Sequence, residues 1–165
     1  FFLTGSRTRT GAGTIDFVFE LHDGYDVFRA LRDFLNSGGL LPEPRIRALF
    51  ENWLVWGMRD GGCFFVGATT ELDDRPGPPR DALMQSCKDW IDELNKAARI
   101  AISEGHFRAD LDPEQFAFEE YGIMLGLHTF YRFLKAPHAL DRARQAFERL
   151  VDAARPIPSA DRRSR

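Results

Sequence analysis

Between Asp112 and Lys135 the apolar residues fall on two sides of a helix rather than one. At about 100° per residue, Phe116, Ile123, Leu127, Phe130 and Leu134 share one stripe. Phe118, Tyr121 and Leu125 lie opposite, with Gly122 and Gly126 beside them. Asp112 can cap this helix, Pro113 suits its first turn, and Gln115 holds the capping-box position. A helix that covers a monomeric core needs one apolar stripe. A second stripe calls for a second burial partner, either a ligand pocket or another copy of the chain, unless the helix lies centrally in its own domain.

The remaining pattern also predicts helices, about six in all. From Gly13 to Ser37, Phe17, Leu21, Phe28, Leu31 and Leu35 share a side, Gly24 can bend the helix, and Gly38-Gly39 stops it. Leu41-Pro42-Glu43-Pro44 reads as a stiff connection, because each proline disfavours helix in the residue before it. Ile46, Leu49, Phe50, Trp53 and Leu54 then form a stripe ending near Asp60. Cys63-Phe64-Phe65-Val66 is too short to type by periodicity; its helical context predicts the first turns of a helix reaching Leu72. After the break at Arg75-Pro76-Gly77-Pro78-Pro79, Leu83, Cys87, Trp90, Leu94, Ala98 and Ala101 face one way and charged residues the other, with Gly105 at the C-terminal cap. Ala136-Pro137 interrupts the two-faced helix. Leu140, Ala143, Phe147, Leu150, Val151 and Ala154 mark the last helix before Pro156. The expectation is an all-α domain over 14–155 and a disordered tail over 156–165.

Composition adds mainly exclusions. With 165 residues, 44% hydrophobic and 28% charged, the chain suits one globular domain with a sizeable core. The apolar runs stay short of the roughly 18 residues a membrane span needs, and the start lacks the basic-apolar-small order of a secretory signal, so a cytoplasmic protein without a membrane partner is expected. Cys63 and Cys87 form neither a disulfide framework nor a metal-site spacing and are read as free thiols. A net charge of −3 exerts no global pull toward nucleic acid or anionic lipid.

No chemistry of catalysis is visible. Glu71, Asp73 and Asp74 lack the spacing of a calcium loop, and Glu119 and Glu120 lack the Glu-x-x-His partner of a di-iron bundle. His22, His106, His128 and His138 are scattered, and no nucleophile elbow, phosphate loop or dinucleotide fingerprint occurs. Catalytic residues, metal and cofactor are all expected to be absent. His128 projects between the two stripes near Tyr121 and Met124, where it can face a ligand or sit half exposed.

Three stretches carry a resemblance. They are Leu49-Phe50-Glu51-Asn52-Trp53-Leu54; Gly61-Gly62-Cys63-Phe64-Phe65 followed by Glu71-Leu72-Asp73-Asp74-Arg75-Pro76-Gly77-Pro78; and Glu104 through Ala117. Together they resemble the C-terminal regulatory domain of one branch of the tetracycline-repressor (TetR) family of bacterial transcriptional regulators, over roughly Thr14 to Val151. The string Gly62-Cys63-Phe64 with the Asp-Asp-Arg-Pro-Gly-Pro turn is the most specific part. Such proteins begin with a helix-turn-helix whose third helix ends in Tyr-x-x-Phe-x-Ser-Lys-x-x-Leu. Phe1 resembles the tyrosine, Gly5-Ser6 match, and Arg7 stands for the lysine, whereas Thr4 and Thr10 replace the phenylalanine and leucine. Residues 1–13 therefore resemble the end of a recognition helix plus a linker, with Ser6 and Arg7 as a remnant of the DNA-binding surface. Without its partner helices such a remnant cannot be held in a major groove, so operator DNA is expected to be bound only through the missing N-terminal domain.

The resemblance gives the two stripes a meaning. In this family the last two long helices pack against their copies as a four-helix bundle, and the other helices enclose an apolar pocket. It implies a homodimer through Phe118, Gly122, Leu125, Gly126, Thr129, Phe147 and Leu150. It implies a small hydrophobic effector held by Trp53, Phe64, Phe65, Cys87, Trp90, Tyr121, Met124, His128 and Tyr131. Most of these aromatics could equally be plain core. The competing expectations are a stand-alone helical ligand carrier or enzyme, which a buried cluster of polar groups would favour, and a pure dimerisation module with a solid core.

Overall fold

The computed structural model describes residues 3–9, 15–21, 42–58 and 62–157. The first two segments are strands, β1 (Leu3–Arg9) and β2 (Ile15–Leu21), paired antiparallel from Leu3 opposite Leu21 to Arg9 opposite Ile15. This corrects the helix expected from Gly13 onward. Ile15, Phe17, Phe19 and Leu21 alternate with Asp16, Val18 and Glu20, a period of two in a stretch rich in β-branched and aromatic residues. Phe28, Leu31 and Leu35, the rest of that expected helix, lie outside the described residues.

From residue 42 the described chain is helical, as the periodicity predicts. Helix α1 spans Pro42–Gly57, α2 Phe64–Leu72, α3 Pro78–Ser103, α4 Pro113–His128 and α5 Ala139–Ala154, with a π-helical segment at Thr129–Phe133 between the last two. Pro42-Glu43-Pro44 is the first turn of α1 rather than a connection, because a proline lacks only an N–H that the first turn leaves unused. Cys63 caps α2, its Sγ accepting from the Val66 N–H at 3.4 Å. The Asp112 carboxylate caps α4 by accepting from the N–H groups of Glu114 and Gln115 at 2.9 and 3.3 Å. The Gln115 side chain does not complete the capping box; it donates to Glu119 instead, at 2.7 Å. Gly105, at φ +74°, turns the chain so that His106 and Phe107 return their N–H groups to the Ala101 carbonyl.

The main core joins Ile46, Leu49, Phe50, Trp53 and Leu54 of α1 to Leu94, Ala97, Ala98 and Ala101 of α3, and to the inner faces of α4 and α5. Alanines on α3 and α5 leave room for the rings of α1 and α4. α1 and α5 run antiparallel and are tied along their solvent edge by three ion pairs. Glu43 meets Arg155 at 2.5 Å, Arg47 meets Glu148, and Glu51 meets Arg144 at 2.8 Å. A smaller cluster of Ala68, Leu72 and Leu83, flanked by Phe64, Phe65 and Cys87, joins α2 to α3. The described part of the tail is Pro156-Ile157, both exposed; residues 158–165 lie outside the described residues.

Candidate functional site

Helix α4 turns Phe116, Ala117, Glu120, Met124 and Leu127 inward. Met124 and Trp53 are buried in the main core, and Trp90 and Tyr121 are packed against it half-buried. Phe64, Phe65 and Cys87 belong to the smaller cluster, connected to α1 through Trp56, whose ring lies 5.8 Å from that of Phe65. The expected pocket residues thus divide between two adjoining clusters rather than lining one wall.

Where the clusters meet, two thiols and a phenol act on one another. Burial raises the Cys63 thiol to about 11, and the Cys87 thiol adds to the rise. Burial also lifts Cys87. The Tyr121 hydroxyl is pushed up to about 12, first by burial and then by Cys87 and Cys63. All three groups keep their protons at neutral pH, so they can donate hydrogen bonds but are poor nucleophiles.

His128 stands at the end of α4, half-buried, and both burial and the Arg132 guanidinium lower its pKa. Neutral at physiological pH, it can accept or donate a hydrogen bond. The π-helical turn brings Arg132 across to Gly62, just before α2: a Cβ at Gly62 would come within 2.5 Å of Arg132 Nε. Gly62 is also at φ +77°, a backbone conformation that favours glycine; the flexible Arg132 side chain can yield to a Cβ, so the backbone is the stronger reason. Tyr131, on the same turn, is 42% exposed and lies outside both buried clusters. The wider π turn breaks the stripe that an α-helix would have carried on through Phe130 and Leu134, and both are exposed.

From the sequence, Glu120 is weighed only as an unsupported di-iron ligand, with no expectation of burial. It is 1% exposed, its Oε1 has no hydrogen-bond partner, and burial raises its carboxyl to about 8. The signal was its position, one helical turn after Phe116 and one before Met124.

The other face of α4 points outward. Phe118 is 73% exposed, and among the described residues a Cβ added to Gly122 or Gly126 would meet nothing within 4 Å beyond its own helix's backbone. Neither glycine, therefore, serves a tight crossing between the described helices. Between α4 and α5 lies an open groove of about 480 Å³ lined by Gly122, Ile123, Ala146, Leu150 and Ala153, with Glu119 and Arg149 at its sides. Leu125 and Gly126 are half-buried and Thr129 is exposed, donating its hydroxyl to the Leu125 carbonyl at 3.3 Å. Phe147 is the exception among the expected interface residues. It is 2% exposed and fills its own chain's core, because it sits on the inner stripe of α5 with Ala143, Val151 and Ala154. Ser6 and Arg7 lie on β1, in register with Val18 and Phe17, rather than on a helix.

Among the described residues no group of three or more His, Cys, Asp or Glu side chains could hold a metal ion, and no helix is long and apolar enough to cross a membrane. Residues 42–147 match the family described as tetracyclin repressor-like, C-terminal domain. No curated protein matches the chain.

Proposed function

Because the chain belongs to the tetracyclin repressor-like regulators through their C-terminal domain, we propose that it is the effector-binding and dimerisation part of a transcriptional repressor. Its partners in this reading are a second copy of itself and a small, largely apolar ligand, and it acts in the cytoplasm. The operator would be contacted through a helix-turn-helix domain N-terminal to the helices described above.

One observation carries the reading: α4 is apolar on both sides, and among the described residues only the inner side is used. Exposed Phe118 and the glycine-lined groove beside Leu150 offer a face on which a second copy can lay its own α4 and α5. The inner side offers aromatic walls with protonated Tyr121, Cys63 and Cys87 as polar tips, a composition suited to an apolar ligand oriented by a few hydrogen bonds. Binding would act on DNA only if the ligand prefers one arrangement of the two subunits. Sedimentation of the chain at micromolar concentration tests the reading; a dimer burying more than about 1,200 Å² supports it and a monomer refutes it.

A stand-alone carrier or enzyme is the second reading, favoured by the unpartnered carboxyl of Glu120 in the core. A monomer that binds apolar ligands would select it.

A further inference from the structure

Where the end of α3, the turn that follows it and the end of α5 meet, the chain forms a second open groove, of about 670 Å³. It shares only Ala153 with the groove between α4 and α5. Its walls are apolar, with Ile102, Phe107 and Ala109 on one side and Ala153, Pro156 and Ile157 on the other. Arg108 and Asp110, ion-paired at 2.8 Å, complete the lining. The Arg108 N–H donates to the Ala154 carbonyl at 2.8 Å and so fastens the two walls together. Ile157 is 88% exposed, and Ala109 is exposed as well, so among the described residues this apolar surface is left open. A contiguous apolar surface of this kind calls for something to cover it.

The chain enters α1 beside this groove. Glu43, in the first turn of α1, meets Arg155 at 2.5 Å, and Arg155 stands two residues before Ile157. Residues 22–41, which lie outside the described residues, lead into that point. Their sequence puts Phe28, Leu31, Phe34 and Leu35 on one helical stripe, with Arg29, Asp33 and Asn36 opposite. Gly38-Gly39 permits a sharp reversal before Leu40-Leu41. Leu35 is seven residues before Pro42, a reach of up to about 25 Å of extended chain. We propose that residues 28–41 cover this groove, the stripe of Phe28, Leu31 and Leu35 lying against Phe107, Ala109 and Ile157. Residues 158–165 follow the groove wall directly, but they carry no large apolar side chain to fill it. Docked in this way, the segment ties the chain before α1 to α5, the helix that also lines the proposed partner face. The contact needs neither effector nor DNA.

The test is hydrogen exchange of the 165-residue chain, read by mass spectrometry. In the native chain the amides of residues 28–37 should exchange about a hundredfold or more slowly than those of a free peptide of the same sequence. Ile157→Asp and Ala109→Arg each place a charge in the groove at an exposed position, so the core beneath keeps its packing. Each should speed exchange over 28–37 by about tenfold or more, while Leu94 to Ala101 of α3 exchange as before. If Ala109→Arg also loosens α3, Ile157→Asp decides, because its side chain stands clear of the core. Exchange over 28–37 as fast as in the free peptide overturns the proposal. Protection that Ile157→Asp leaves unmoved overturns it too. Should Ile157→Asp instead convert a dimer to a monomer in sedimentation, with protection over 28–37 unchanged, a second copy occupies the groove and the proposal fails.

Discussion

The rings of Phe50 and Phe147 stack face to face, 4.0 Å between centroids and 2° from parallel, and so lock the first described helix to the last. Both side chains are almost wholly buried, and the three ion pairs between α1 and α5 run along the solvent edge of the same seam. Truncating Phe147 to alanine removes an aromatic from the core and breaks this stack. The expected loss is about 3–5 kcal/mol of stability, measured by urea unfolding. A loss below about 1 kcal/mol would place Phe147 outside the core.

Gly122 separates folding from association. Among the described residues no atom outside its own helix lies near the space its Cβ would fill, so Gly122→Arg should leave the monomer folded and gain up to about 1 kcal/mol of helix propensity. On a face that packs against a second copy, the same arginine buries a charge with no partner. Sedimentation should show a folded monomer. A variant that stays dimeric would move the interface off this face of α4.

Glu120 makes stability depend on pH in the sense opposite to most carboxylates. Its folded-state value, about 8, lies above the ordinary 4.5, so the native chain binds the proton more tightly than the unfolded chain does. The associated stability is fully present below about pH 4.5 and is lost as pH rises toward 8, by at most about 1.4 kcal/mol per pH unit. Urea unfolding of the native chain and of Glu120→Gln at a series of pH values isolates this effect. The difference between them should shift in favour of Glu120→Gln as pH rises, and a constant difference would argue against a protonated Glu120.

The ion-pair edge behaves conventionally. Arg155 and Arg47 hold the Glu43 carboxyl below its ordinary value, and Arg144 does the same for Glu51. Their contribution is present above about pH 4.5 and falls away as pH drops through the depressed folded-state values. The Glu51–Arg144 pair is about half exposed on both sides, so Glu51→Gln should cost no more than about 1 kcal/mol, with the cost shrinking in high salt. Thermal melts at low and high ionic strength measure both effects. A cost independent of salt would mean that packing rather than charge holds this edge.

Both thiols should react slowly with an aromatic disulfide reagent at neutral pH, Cys63 more slowly than Cys87. Cys63 is the more deeply buried, and burial raises both thiols above their ordinary value. Denaturant should expose both to rapid reaction. Equal, fast reaction of the native chain would contradict the closed junction between the two clusters.

Much of this architecture is determined by the sequence alone, because helix pattern and capping are local physics. Asp112 before Pro113, Cys63 before the Phe64-Phe65 run, and Gly105 after the alanine-rich stripe of α3 each place a helix end by backbone hydrogen bonds within a few residues. The hairpin was equally local, since Ile15, Phe17, Phe19 and Leu21 alternate, but two of those residues also fit a helical stripe. What only the tertiary structure decided is which side of each helix the chain keeps for itself. Phe147 and Leu150 are both apolar residues of α5, yet one fills the core and the other lines the open groove. Periodicity gives the angle between two side chains, and the direction of the core is set by neighbours far along the chain. Glu120 shows the same limit, because a carboxyl on an apolar stripe becomes costly only once α1, α3 and α5 have closed over it and taken its water away.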